Sequence, residues 1–384
     1  MTPSSTATDL GALVDALRTE PDGAGRLAAL LPESLPLYAG RSAAEMTRFR
    51  GYLLAAFADT GLPDPALPYV VESLEAGHGP DEVAGAAIGL RGLGTAPVDV
   101  ATPLLRAIEN LAGADLTVSF EAYRPTWPYA RPTTALTEVV RTIGLLGERA
   151  LPAVTRLADL AGHRDRFPAA LRDEMQRVVD AATAESGCCG SGMCACCAPA
   201  AQPVAPLPDD VPTETVLEDQ DGRKVAFDEF FTGRPAVVAF FYTRCDNPRK
   251  CSLTVTKLAA LQRSIEEQGQ DGAVRIAAIT YDPAFDLPHR LRLYGADRGV
   301  RFGEHVRFFR VPSGFDEVRR RLDLGVNYGA ATVNRHRTEL FVLNAQGRVA
   351  AAFARVQWDV DAVLDVLAGL AGPDGLAPSQ PDPG

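Results

Sequence analysis

Residues 185–210 divide the chain into two halves that read as different fold classes. The segment carries CCGSGMCACC and continues as APAAQPVAPLPDD, where Pro199, Pro203, Pro206 and Pro208 predict an extended, semi-rigid spacer. A chain of 384 residues exceeds one ordinary core, so a break here leaves two domains of roughly 150–200 residues.

Before the break, apolar residues recur at helical spacing, as in Leu10/Leu13/Leu17, Leu67/Val70/Val71/Leu74, Leu136/Val139/Val140/Ile143 and Val154/Leu157/Leu160. Ser42 and Glu45 stand at capping-box distance, and Gly77 and Gly94 follow predicted helices. Two segments resemble each other, DEVAGAAIGLRGLG (81–94) and TALTEVVRTIGLLG (134–147), and a second helix follows each. Paired helices recurring at about 50 residues predict a HEAT-like α-solenoid over residues 1–184, with an irregular helical bundle as the alternative. The aromatic, proline-rich stretch 120–132 is read as a loop, either offering a docking surface or folding back over a helix.

After the break the pattern alternates. AVVAFFY (236–242) and VRIAAITY (274–281) are continuous apolar runs, as strands buried on both faces require. Helices are predicted over 252–268, 288–294, 315–322 and 360–370, a short strand over 306–311, and a hairpin of 339–344 with 350–354. This order predicts an α/β thioredoxin-like domain over 212–372, joined by a linker over 185–211 and followed by a loose tail, 373–384. The fold class is therefore multidomain: an all-α HEAT-like domain and an α/β thioredoxin-like domain.

Hydrophobic residues make up 46% of the chain and charged residues 23%, which excludes a fully disordered chain. The net charge of −11 and the lack of basic runs argue against nucleic acid or an anionic membrane as partner. The N-terminus has no basic region followed by an apolar core, and no apolar run is long enough to span a bilayer, so a cytoplasmic protein with reduced thiols is expected.

All seven cysteines lie after residue 187. Cys245 ends the first central strand and Cys251 precedes the next helix, where an α/β sheet presents its functional loop. A helix N-terminus favours a thiolate, which is both a redox nucleophile and a soft ligand for Cu(I) or Zn(II). Two unpaired buried thiols are the plain alternative. Arg249 and Lys250 add positive charge beside Cys251 and are expected to lower a thiol's pKa.

The string FFYTRCDNPRKCSLTVTKLAALQ (240–262) resembles the Sco/SenC family of thioredoxin-like copper proteins. ITYDPAFDLPHRLRLYG (279–295) resembles that family's Asp-Pro segment, and VNRHRTELFVLNAQGRV (333–349) the segment in which a His completes the metal site. The resemblance implies Cys245, Cys251 and His336 as a Cys₂His copper site, with Asp282 orienting ligands. Without it, His336 in its polar stretch reads as a surface histidine. Two departures stand out: five residues separate the cysteines where the family has three, and Arg335 occupies the place of an acidic residue.

Cys188, Cys189, Cys194, Cys196 and Cys197 are too dense, among residues too small, for a core. They suit a polythiolate site for Cu(I), with Zn(II) as an alternative ion, or thiols that exchange with Cys245 and Cys251. The functional expectation is a copper metallochaperone or redox protein whose helical domain docks a protein that gives or takes metal or electrons. The alternative is a thiol–disulfide oxidoreductase or peroxidase using Cys245 and Cys251, with the linker thiols as relay.

Overall fold

The computed structural model describes residues 5–185, apart from 78, 96–97, 113–115, 126–131 and 164, and residues 215–370. The Cys-rich and Pro-rich segment, part of the aromatic loop and the tail lie outside the described residues. Two compact units are present, one from the N-terminal half and one mainly from residue 215 onward.

The first unit is helical. It begins with α1 (Ala7–Arg18), α2 (Gly23–Ala28), α3 (Ala43–Ala55), α4 (Phe57–Thr60), α5 (Leu67–Ala76), α6 (Pro80–Leu90) and α7 (Ala101–Leu111). A short ladder of β1 (Thr117–Val118) and β2 (Thr133–Thr134) leads into α8 (Ala135–Leu146), α9 (Leu151–Ala161) and α10 (Ala169–Glu185). The expected capping box starts α3: Glu45 N–H donates to Ser42 Oγ at 3.2 Å, and Ser42 N–H donates to Glu45 Oε2 at 2.9 Å.

Helix α6 packs against α3 and α8, while α7 packs against α9, so matching helices of the two similar segments are neighbours. The α3–α6 crossing is backbone on backbone. A Cβ on Gly85 would stand 1.9 Å from Gly51 O, and one on Gly89 would stand 2.2 Å from Leu54 O. Any larger residue would prop the helices apart.

Arg50 is a cation buried among apolar residues, with Glu33 and Glu82 buried beside it. It is fully buried between Glu33 and Glu82, 3.4 Å from each, and donates to Leu31 O, as a charge removed from water requires. The loop residues Phe120 and Tyr123 are buried against Tyr52 of α3, with Tyr123 stacked on it at 4.9 Å. Of the two alternatives for this stretch, those two rings take the second and fold back over a helix.

The second unit opens with the hairpin β3 (Val216–Asp219) and β4 (Lys224–Ala226), then a short helix α11 (Phe227–Phe231). The sequence reading passed over this hairpin. Its signal is Asp221-Gly222 between short strands, with Gly222 at φ +79° in the turn. Next come β5 (Ala236–Phe241), α12 (Leu253–Glu267), β6 (Arg275–Thr280), α13 (Pro288–Ala296), β7 (Val306–Arg310) and α14 (Phe315–Arg321). The unit closes with β8 (Val326–Tyr328), β9 (Val333–His336), β10 (Glu339–Leu343), β11 (Val349–Ala354) and α15 (Val360–Leu370).

Seven strands form one mixed sheet in the order β11-β10-β5-β6-β7-β3-β4, and β8 with β9 makes a separate ladder. Strands β5, β6 and β7 run parallel, and β10 is antiparallel to β5. Every residue of β5 is buried, which is why that stretch is apolar at each position. No helix among the described residues is long and apolar enough to cross a membrane.

Candidate metal centre

The register of the sheet gathers three loops at one end. Phe241 at the end of β5 lies opposite Thr280 at the end of β6, and Leu340 near the start of β10 lies opposite Ala239. Cys245 follows β5, and His336 ends β9 just before β10 begins. The chain then enters a π turn, Pro248–Ser252, that runs into α12. Asn247 starts that turn by accepting from Arg249 N–H at 2.9 Å. The wider turn absorbs the longer spacing between the cysteines and places Cys251 inward.

His336 Nε2 lies 3.4 Å from Cys245 Sγ and 3.6 Å from Cys251 Sγ. The three donor atoms all lie within 4.8 Å of one another, the one such group among the described residues. Cys251 is 1% exposed and His336 6%, so the surface-histidine alternative is corrected. His336 Nδ1 stands 3.0 Å from Arg337 O. A carbonyl only accepts, so Nδ1 carries a proton toward Arg337 O and Nε2 is the nitrogen that faces the sulfurs. Tyr242 meets the imidazole edge-on at 5.3 Å, and Tyr281 lies over it at 5.5 Å, fixing its plane.

The two thiols are pushed in opposite directions. A hydrogen bond from the Cys251 thiol holds Cys245 well below the usual thiol range, and the charge and hydrogen bond of the His336 ring lower it further. Burial pushes Cys251 well up, and the neighbouring Cys245 sulfur adds to that. The expected lowering of one thiol is thus present, at Cys245, but its causes are the Cys251 hydrogen bond and the His336 ring rather than Arg249 and Lys250. Lys250 does pull on Cys251, but burial outweighs it, and the lowered thiol is Cys245. Burial also raises the Tyr242 hydroxyl, which is hydrogen-bonded to Cys245.

Several supporting residues escaped the sequence reading. Buried Asp286 accepts from Thr243 N–H at 3.0 Å and from the hydroxyls of Thr243 and Thr280, tying the end of β5 to the end of β6. Glu339 accepts from the Tyr281 hydroxyl, from Arg337, and from Gly325 N–H at 2.8 Å. Their only sequence signal is a carboxylate at the edge of an apolar run, where an unbonded charge is not tolerated. Asp282 engages Arg244, the residue before Cys245, with Nε 3.2 Å from Oδ2, so its bearing on the site runs through that arginine. Cys188, Cys189, Cys194, Cys196 and Cys197 lie outside the described residues.

The donor set fits copper. Two sulfurs and an imidazole nitrogen converge in a buried place, and soft thiolates with imidazole suit both oxidation states of that ion.

No curated protein matches the chain. Among solved structures, it is similar to a SCO1/SenC family lipoprotein from Bacillus anthracis, at 20% identity, TM-score 0.39, covering 44% of this chain and 98% of that one. It is similar to copper-bound ScoI of Bradyrhizobium japonicum at 21% identity, TM-score 0.34, covering 41% and 98%. Copper-bound Sco1 of yeast is similar at 16% identity, TM-score 0.34, covering 42% and 90%. The stretch that carries all three donors, residues 207–372, matches the SCO1/SenC family model.

Proposed function

We propose that the chain binds copper through Cys245, Cys251 and His336 and holds or transfers it, as a Sco-like metallochaperone or redox protein. The observation that carries this reading is the convergence of the three donor atoms within 4.8 Å. The family-model match over residues 207–372 supports it. The chain's own residues prepare the site: Arg337 O keeps Nε2 available, and Cys245 is held as a thiolate, so fewer protons must leave when an ion enters. In the same reading the five linker thiols capture Cu(I), and the helical, HEAT-like domain docks the cytoplasmic protein that gives or takes the metal.

Elemental analysis after anaerobic, reducing purification tests this. Copper should be present in the full chain and persist when the five linker cysteines become Ser. It should vanish when Cys245 and Cys251 are replaced as well. A metal-free protein that takes up no added Cu(I) would sink the reading.

The split between the thiols favours a second reading, a thiol–disulfide oxidoreductase. Cys245 is the nucleophile that attacks a partner's disulfide, and Cys251 resolves the mixed disulfide. The Cys245–Cys251 disulfide forms as the partner's S–S bond breaks. The partner's two sulfurs take the two electrons, one keeping the proton of the Cys251 thiol and the other leaving as a thiolate that solvent protonates. A metal-free protein with a reversible Cys245–Cys251 disulfide supports this reading instead.

A further inference from the structure

The residue before Cys251 is a lysine turned inward. Lys250 is 7% exposed, and its Nζ donates to the main-chain O of His336 at 2.9 Å. One side chain therefore joins the two segments that supply donors, the π turn with Cys251 and the end of β9. Because it bonds the histidine's main chain, it leaves the imidazole free. Gln357 steadies the same turn by donating to Arg249 O at 2.9 Å.

The ammonium also acts through its charge. It is held against the main chain of one donor residue, His336, and stands next to another, Cys251, in the turn. Asp246, between Cys245 and the turn, adds a negative charge whose field reaches Tyr242, and Asp282 and Glu339 are engaged by Arg244 and Arg337. Replacing Lys250 alone leaves these charges in place, so the comparison reads the contribution of the ammonium. A fixed positive charge repels an entering cation in proportion to that cation's charge. Coordinating thiols are deprotonated outright, so the filled pair of sulfurs carries two negative charges. A monovalent ion leaves a net negative centre for the ammonium to face, whereas a divalent ion leaves a neutral one.

Resting on the copper-site reading, we propose that Lys250 makes this centre selective for a soft monovalent cation, Cu(I) or Ag(I), over divalent thiophilic ions such as Cd(II) and Zn(II).

The test uses the full chain with the five linker cysteines as Ser, so that only this centre is read. Affinities for Cu(I) and for Cd(II) are measured by chelator competition under reducing, anaerobic conditions. They are compared for that chain, Lys250→Met, Lys250→Gln and Lys250→Arg. Met removes both the charge and the hydrogen bond, whereas Gln removes the charge and keeps a donor. The ratio of Cu(I) to Cd(II) affinity should fall about tenfold or more in the Met and Gln variants and hold within about threefold in the Arg variant. Should Lys250→Met fail to fold, the Gln variant carries the same comparison.

A merely structural role would weaken both ions alike. Equal losses in Met and Gln, with the ratio unchanged, overturn the proposal while leaving the copper site standing. Binding of neither ion when Lys250 is intact overturns the copper site itself, and the selectivity with it.

Discussion

His336 Nε2 and Cys245 Sγ meet at 3.4 Å across 91 residues of chain, a contact that adds to the difference between the two thiols. Cys245 faces the Cys251 thiol and the imidazole and is lowered. Cys251, deeper in the unit, is raised by burial. A metal site needs both sulfurs as thiolates, whereas an exchange site uses this asymmetry directly.

The first prediction follows from that asymmetry. The thiolate is the reactive form and is populated above the thiol's pKa. With its pKa lowered, Cys245 should react with iodoacetamide at a nearly constant rate from about pH 8 down to about pH 5. An ordinary thiol, with a pKa of about 8.5, slows about tenfold per unit over that range. In His336→Ala the decline should begin at higher pH. Peptide-resolved alkylation of the reduced, metal-free chain measures it. A tenfold-per-unit decline in the unsubstituted protein would remove the lowered thiol.

Loss of the histidine should also be read in copper affinity. In the chain with the linker cysteines as Ser, His336→Ala should weaken Cu(I) binding about tenfold or more, some 1.4 kcal/mol. The thiol titration should stay at two, for Cys245 and Cys251. An unchanged affinity would leave a dithiol site without the imidazole.

Asp286→Asn tests the tie between β5 and β6. The amide replaces an acceptor of three hydrogen bonds with a group that presents a donor to the same hydroxyls. The variant should lose about 1–3 kcal/mol of stability in denaturant unfolding. Copper affinity should fall with it, because Thr243 sets the start of the Cys245 loop. Full stability in Asp286→Asn would show that the hydroxyls find other acceptors.

The helical unit offers a paired test. Gly85→Ala sets a Cβ against the Gly51 carbonyl, whereas Gly94→Ala meets nothing within 4 Å. The first should cost about 1–3 kcal/mol, and the second should be close to neutral. Thermal unfolding of both variants decides it. Equal midpoints would mean that the α3–α6 crossing relaxes freely.

Legibility followed burial. Strands β5 and β6 were readable because both faces are covered, which leaves β5 and the interior of β6 apolar at every position. Helix α15 was readable from end to end by its apolar period. Strands β3 and β4 were missed because they are short and partly exposed, and their composition is that of a loop. The π turn was missed because its composition, PRKCS, is that of a loop and carries no period that distinguishes it from an α-helical start.

The sequence by itself determined the helical character of the first unit, the buried strands β5 and β6 and the β10–β11 hairpin of the second, and Cys245 and Cys251 as a pair on one loop. These follow from local chemistry: apolar periods of helix and strand, and the place of a thiol beyond a buried strand. Only the tertiary structure decided that His336 is buried rather than exposed, that Lys250 turns inward to its carbonyl, and that Cys245 rather than Cys251 is the lowered thiol. The reason is physical. Each depends on contacts between segments more than 80 residues apart, and the burial and charge that set a side chain's state arise only where those segments meet.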